Sequence, residues 1–319
     1  MLRRSAWLAV GQMRATNDVE ANLRQCAQLV HQASLRRCSL LCLPEAFDFM
    51  GEAPGEAMSV AEPLDGPLMS RYRDLARSHD IWLSLGGFHE KIEGDDTHLY
   101  NAHVVVDNEG EIRAVYRKIH LFDVSIPNGP VLKESNGTRS GSSLTALDSP
   151  GRREKHSHLV DDPSNPHGQV GTLGLSVCYD LRFSELYLAY RQHAEADVLL
   201  VPSAFTATTG RAHWLPLLRA RAIETQCYVA AAAQVGRHNA KRESYGHACI
   251  IDPWGEVVAS CGEKELGIAV AEVDLAYMDQ IRTNMPVFTH RRSDVYGAIL
   301  PGQPATASEV EVLATTRRA

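Results

Sequence analysis

The chain has 319 residues, 44 % of them hydrophobic and 22 % charged, with a formal charge of −7 and a pI near 6.1. That is the composition of a globular protein with apolar material for one large domain or two ordinary ones. An acidic balance argues against a nucleic-acid partner, which calls for a basic face, and no apolar run approaches the roughly 18 residues a membrane span needs.

Taken in chain order, the apolar stretch that follows Arg3 and Arg4 is too short for a secretory signal, and residues 6–10 read as the first strand. A mitochondrial presequence stays open. Val19, Leu23, Cys26, Val30 and Ala33 fall on one face at helical spacing, with Asn17 and Glu20 placed as a capping box. Short apolar runs at 40–43, 81–85, 102–106, 173–177, 198–201, 228–232, 248–251 and 268–273 read as strands, several buried on both faces. Helices are expected over 67–79, 182–193, 211–226 and 274–283. "DNEGE" at 107–111 and "DPWGE" at 252–256 separate apolar runs as hairpin turns do. Strands mixed with amphipathic helices argue for layered α/β architecture. Residues 136–169, rich in Ser, Gly, Pro, Asp and His, read as a long surface insertion with one short apolar break. His156, His158 and His167 there match no zinc spacing and read as solvated loop histidines, so no metal is expected.

Seven cysteines are scattered without a C-x-x-C pair, which fits a reducing compartment, the cytoplasm or the mitochondrion. Most read as small buried hydrophobes. Cys178 differs, because "LGLSVCYD" runs an apolar strand into it and a helical stretch follows directly. "LLCLPE" likewise runs into Glu45, and "VLLVPSAF" into Ser203. Ligands in α/β sheets gather at the carboxyl ends of strands, so these positions can share a site. A thiol near its free pKa of about 8.5 needs a base at neutral pH. No histidine stands in a papain-like context, which leaves Glu45. Lys118, in "VYRKIHLFD", can stabilise both a thiolate and an anionic intermediate.

"LPEAFDF" at 43–49, "YRKIHLFD" at 116–123 and "GLSVCYDLRFSEL" at 174–186 resemble, in order and separation, the three signature blocks of the carbon–nitrogen hydrolase (nitrilase) superfamily. The resemblance covers residues 5–298. It implies a four-layer α-β-β-α sandwich in a domain spanning 1–300, a C-terminal tail over 301–319, a homodimer formed through outer helices, and chemistry through a covalent thioester with no cofactor. It implies Glu45 as general base, Lys118 as oxyanion-stabilising lysine, Cys178 as nucleophile, Glu134 as a supporting carboxylate and the Tyr179 backbone N–H as oxyanion donor. Ser184 departs from the pattern, standing where proline is common.

"CYDLRF" resembles the Nit branch of amidases, and 219–255 resembles the deaminated glutathione amidases within it. The substrate is then a small linear amide carrying a 2-oxo acid carboxylate. Ser203, Arg211 and His213 are candidate substrate contacts, and Arg211, Arg237 and Arg242 candidate cations for that carboxylate. An omega-amidase acting on 2-oxoglutaramate and a non-catalytic binding member of the fold remain the alternatives.

Overall fold

A computed structural model describes residues 5–53, 55–125, 131–149, 170–263, 266–296 and 310–313, and in it the apolar runs become the strands of two large sheets. The chain begins with β1 (Ser5–Met13), α1 (Val19–Leu35), β2 (Leu40–Leu43), α2 (Glu56–Val60), α3 (Pro67–His79), β3 (Trp82–Lys91), β4 (Leu99–Val106) and β5 (Ile112–Arg117). A small ribbon of β6 (Asp123–Ser125) and β7 (Val131–Lys133) follows, then β8 (Leu144–Asp148), β9 (Thr172–Leu175), α4 (Ser184–His193), β10 (Val198–Leu200) and α5 (Ala207–Thr225). The remainder comprises β11 (Tyr228–Ala231), β12 (Ala233–Arg237), β13 (Glu243–Tyr245), β14 (Cys249–Ile251), β15 (Val257–Ser260), β16 (Gly267–Asp274), α6 (Leu275–Asn284), α7 (Ser293–Tyr296) and β17 (Val310–Leu313).

One sheet runs β13-β12-β1-β2-β3-β4-β5, with β16 also paired antiparallel to β1; the other runs β15-β14-β11-β10-β9-β8-β17. Side chains alternate across a strand, so a strand apolar at every position is covered on both faces. Leu8, Val10, Leu40, Cys42 and Val105 join Leu173, Leu175, Val198 and Leu200 in the layer between the sheets. Ala9, Leu41, Leu43, Val104 and Val106 face the other way, against Leu29 and Val30 of α1 and Met69 and Tyr72 of α3. On the far side, Leu186, Tyr187 and Tyr190 of α4 and Trp214 and Leu218 of α5 close the second sheet. The order is helix, sheet, sheet, helix, the sandwich that the sequence blocks implied.

Three expectations need correction. Helix α1 is capped by Asp18, whose carboxylate accepts from Ala21 N–H at 2.9 Å, while Glu20 turns outward to pair with Arg71 of α3. The segment 136–169 is not all surface loop. Its apolar break is β8, a member of the second sheet with Ala146 and Leu147 fully buried. The composition of its flanks masked five residues of strand. The tail over 301–319 is likewise not wholly outside the fold, because β17 pairs parallel to β8. Residues 150–169, with the three loop histidines, lie outside the described residues.

Candidate active site

Strands β2, β5, β9 and β10 all end at the same edge of the sandwich. β5 runs antiparallel to β4 and β4 antiparallel to β3, so β5 points the same way as β2. Glu45 follows β2, Lys118 follows β5, and Cys178 follows β9, bringing residues of both sheets together.

The loop after β2 reaches the seam because β3 bulges at Gly86 and Gly87, between the pairs Leu85↔Val104 and Phe88↔Ala102. A Cβ on Gly86 would lie 2.0 Å from the Pro202 ring, and one on Gly87, at φ +75°, would lie 2.8 Å from Cα of Glu45. Only glycine lets the two loops approach this closely. Gln234 of β12 holds the Glu45 loop from the other side, donating to the Glu45 and Ala46 carbonyls at 3.1 and 3.3 Å.

Cys178 opens a short 3₁₀ turn, Cys178–Arg182, with the backbone in the left-handed region at φ +48°. Its N–H donates to Pro202 O at 2.9 Å. Non-glycine residues are held in this region only where the surroundings dictate it. Here the determinant is Asp180, fully buried, whose carboxylate accepts from Val177 N–H (2.8 Å), Tyr116 OH (2.8 Å), His120 N–H (3.1 Å) and His120 Nδ1 (2.8 Å). One side chain therefore ties the turn after β9 to the turn after β5. The buried Arg221 of α5 fixes the far end by donating twice to Leu181 O.

Lys118 is 2 % exposed, and Nζ donates to Glu45 Oε1 at 3.0 Å and to Glu134 Oε1 and Oε2 at 3.0 and 2.8 Å. Glu134 also accepts from Phe122 N–H at 2.7 Å. Glu45 Oε2 accepts from Ala204 N–H at 3.1 Å, and the Cys178 thiol hydrogen-bonds the same carboxylate. The sequence-expected four therefore meet at one point. Burial works against charge on Lys118, but the Glu134 and Glu45 carboxylates outweigh it and hold the ammonium well above its ordinary pKa. Burial likewise works against Glu45, yet Lys118, the thiol hydrogen bond and Arg242 hold it below the usual carboxylate range.

Burial and then the Glu45 charge push the Cys178 thiol well above its ordinary pKa, despite Lys118. A thiol so placed needs the base that the sequence called for. One ammonium stands against two carboxylates, so the three groups together carry a net negative charge, which adds to burial in holding the proton on sulfur.

The candidate substrate contacts fare unequally. Ser203 is 1 % exposed and its hydroxyl donates to Val201 O at 3.3 Å. Arg211 is exposed in the first turns of α5. His213 is exposed too and bonds Arg182, whose guanidinium lies over the Tyr179 and Phe205 rings at 5.8 and 5.4 Å. Arg237 is exposed on β12, and Arg242, also exposed, acts electrostatically on Glu45. Sequence reasoning missed Asn101, Asp180, Arg182 and the Gly86–Gly87 bulge. Asp180 stood inside a quoted motif, and "LGG" inside a strand was the bulge signal.

A family model described as Carbon-nitrogen hydrolase matches residues 7–283. The chain belongs to the carbon–nitrogen hydrolase family. Deaminated glutathione amidase from Homo sapiens is 49 % identical over 294 residues, covering 91 % of this chain and 83 % of that one. NitFhit, a nitrilase and fragile histidine triad fusion protein of Caenorhabditis elegans, is 47 % identical over 91 % of this chain, which spans 61 % of the fusion protein. Its crystal structure superposes with a TM-score of 0.78, covering 93 % of this chain and 67 % of that one at 44 % identity. Saccharomyces cerevisiae Nit3, described as a member of branch 10 of the nitrilase superfamily, superposes at 0.74 with 27 % identity, over 91 % of this chain and 97 % of its own. No helix among the described residues of this hydrolase is long and apolar enough to cross a membrane.

Proposed function

We propose that this protein is a cysteine-dependent amidase that cleaves deaminated glutathione to 2-oxoglutarate and cysteinylglycine. The observation that carries the chemistry is the convergence of Glu45, Lys118 and Glu134 on the partly open Cys178 thiol. As Sγ attacks the amide carbon, Glu45 takes the thiol proton. Charge moves onto the carbonyl oxygen, where the Lys118 ammonium and the Tyr179 N–H meet it. Collapse expels the amine, which takes the proton from Glu45 and leaves a thioester. Glu45 then deprotonates a water that attacks the thioester, and the proton returns to sulfur. Glu134 keeps Lys118 charged and placed.

The substrate assignment is supported by relatives bearing that name at 46–49 % identity over 91–92 % of this chain. Arg242 and Arg182 are the cations suited to the 2-oxo acid carboxylate. Mass spectrometry of products decides it: deaminated glutathione should give cysteinylglycine with higher catalytic efficiency than 2-oxoglutaramate gives ammonia. The reverse order would make the enzyme an omega-amidase.

We also propose a homodimer through the outer face of α5. Leu215 and Ile223 are exposed there, near the exposed Trp254 of the β14–β15 hairpin, an apolar patch that a second copy would cover. Sedimentation should give twice the chain mass. Seven free cysteines suit a reducing compartment, the cytoplasm or mitochondrion.

A further inference from the structure

We propose that Asn101 is a positioning residue of this amidase site, holding the Glu45 and Glu134 carboxylates together around Lys118 so that Glu45 stays ionised beside the Cys178 thiol. The inference rests on the reading of Glu45 as general base.

Two buried carboxylates sharing one ammonium repel each other, and such pairs ordinarily settle by one of them taking a proton. Carboxylates only accept hydrogen bonds, so the repulsion is relieved by donors. Lys118 gives its protons to Glu45 Oε1, Glu134 Oε1 and Glu134 Oε2. Asn101 Nδ2 donates to the same two facing oxygens, Glu45 Oε1 at 3.0 Å and Glu134 Oε1 at 3.1 Å. Each of these oxygens is therefore bonded to the same pair of nitrogens, one charged and one neutral.

Among side chains of this reach, Asn supplies two protons from one rigid nitrogen without adding charge. A cation would strip the cluster of the negative field that makes Glu45 a base, and a carboxylate would add a third repelling group. The backbone is part of the arrangement, since Asn101 O accepts from Lys118 N–H at 2.9 Å. Position in the fold gives no competing reason for this residue. Asn is disfavoured in strands, and Asn101 sits inside β4. Its Oδ1 is buried with no partner among the described residues. Turning the amide to satisfy that atom would press its carbonyl oxygen against two carboxylates. An orphaned buried acceptor is rare in native structures, and here it is the consequence of aiming both N–H groups at the acids. Lys118, Cys178, Arg242 and His89 also act on Glu45, and Glu134 faces it across Lys118. Arg242 acts in the same direction as Asn101 from an exposed position, so ionic strength is held fixed in the test.

Asn101→Ala and Asn101→Ser are compared with wild type by two pH profiles. One is kcat/KM on deaminated glutathione, or on 2-oxoglutaramate if wild type prefers it. The other is the rate of Cys178 alkylation by acrylamide, read by intact mass, which needs no amide cleavage. The wild-type acid limb should lie below the ordinary carboxylate range, where Lys118 holds Glu45 against the effect of burial. In Asn101→Ala both limbs should move up by about one pH unit, the loss of one hydrogen bond to a charged group, and less in Asn101→Ser. The loss should appear in kcat on the acid side of the profile, with KM changing by no more than about twofold. A folded Asn101→Ala protein whose acid limb stays put, or whose loss lies in KM alone, overturns the proposal. Unfolding of both variants makes Asn101 a folding residue and also overturns it. If wild type cleaves neither amide while the alkylation limb moves as expected, the substrate reading falls and Asn101 keeps its role.

Discussion

Glu45→Gln separates the reactivity of the thiol from turnover. The glutamine keeps shape and volume but meets four donors, Lys118 Nζ, Asn101 Nδ2, Ala204 N–H and the Cys178 thiol, with an amide that can accept on one side only. The reaction then depends on thiolate formed without help. Even a free thiol, with a pKa of about 8.5, is only roughly 3 % ionised at pH 7, burial keeps Cys178 below that fraction, and no group remains to hand a proton to the departing amine. Loss of general acid–base assistance alone is worth ~10²–10⁴ in rate, about 3–5 kcal/mol of barrier. Removing the Glu45 charge also removes one cause of the raised thiol pKa, so the sulfur becomes easier to ionise as the enzyme becomes inactive. The assay follows 2-oxoglutarate release together with acrylamide alkylation of Cys178. Turnover should drop by at least ~10². The alkylation profile should change from a plateau, where the Glu45–Cys178 pair shares one proton, to a single rise at higher pH. Turnover within tenfold of wild type, or an unchanged plateau, would show that another group is the base.

Cys178→Ala should abolish hydrolysis with a melting temperature within a few degrees of wild type, because alanine keeps the Cβ and the φ of +48° while losing only ~1 kcal/mol of packing; residual turnover in a folded variant would remove Cys178 from the mechanism. Gly87→Ala should cost about 2–3 kcal/mol and most of the activity, since its Cβ would meet Glu45 Cα at 2.8 Å from a left-handed backbone, and urea denaturation with parallel assays checks both. Acid should destabilise the fold before it reaches the carboxylates. His103, bonded to Ser84 Oγ and Ser176 O, and His238, bonded to Ala15 O and Ser244 Oγ, are buried and neutral, each with its pKa pushed down by burial to about 4. The unfolded chain binds these protons near pH 6.5 and the folded one near 4, so their stabilisation is whole above pH 6.5 and is lost as pH falls through that window, by up to about 3 kcal/mol each. Thermal melts from pH 7 to 4.5 should show the decline and His103→Gln should flatten it, whereas a flat wild-type curve would mean that these histidines are not held neutral.

Features encoded within a few residues were readable from the sequence. Helix α3 begins and ends where expected, opening on Pro67 and closing with Asp80 in the left-handed region. Both hairpin turns use one device, an aspartate whose carboxylate accepts from the second and fourth following N–H groups, with a positive-φ glycine at Gly110 or Gly255. Glu45 and Cys178 were visible because each closes an apolar run, and Lys118 because its block "YRKIHLFD" carries the family resemblance. What stayed hidden depends on partners far away in sequence. Asn101 finds Glu45 across 56 positions and Gln234 finds its carbonyl across 189, and no local pattern marks either. β8 was lost inside a polar stretch because its apolar core is short and its pairing partner β9 lies beyond residue 170. The protonation state of the thiol depends on how many carboxylates share Lys118, a count that only the folded arrangement reveals.

The carboxylate of Asp180 receives hydrogen bonds from β5 and the turn after it on one side and from the turn after β9 on the other. The two halves of the sandwich are thereby fastened at the site itself. Opening either sheet locally would strand a buried carboxylate, which penalises such partial openings. The amides of Val177 and His120 should then exchange with deuterium only when the whole molecule unfolds, at one common rate, while those of the exposed edge strand β15 exchange sooner. That outcome would mean that Glu45, Lys118 and Cys178 come together only in the fully folded molecule.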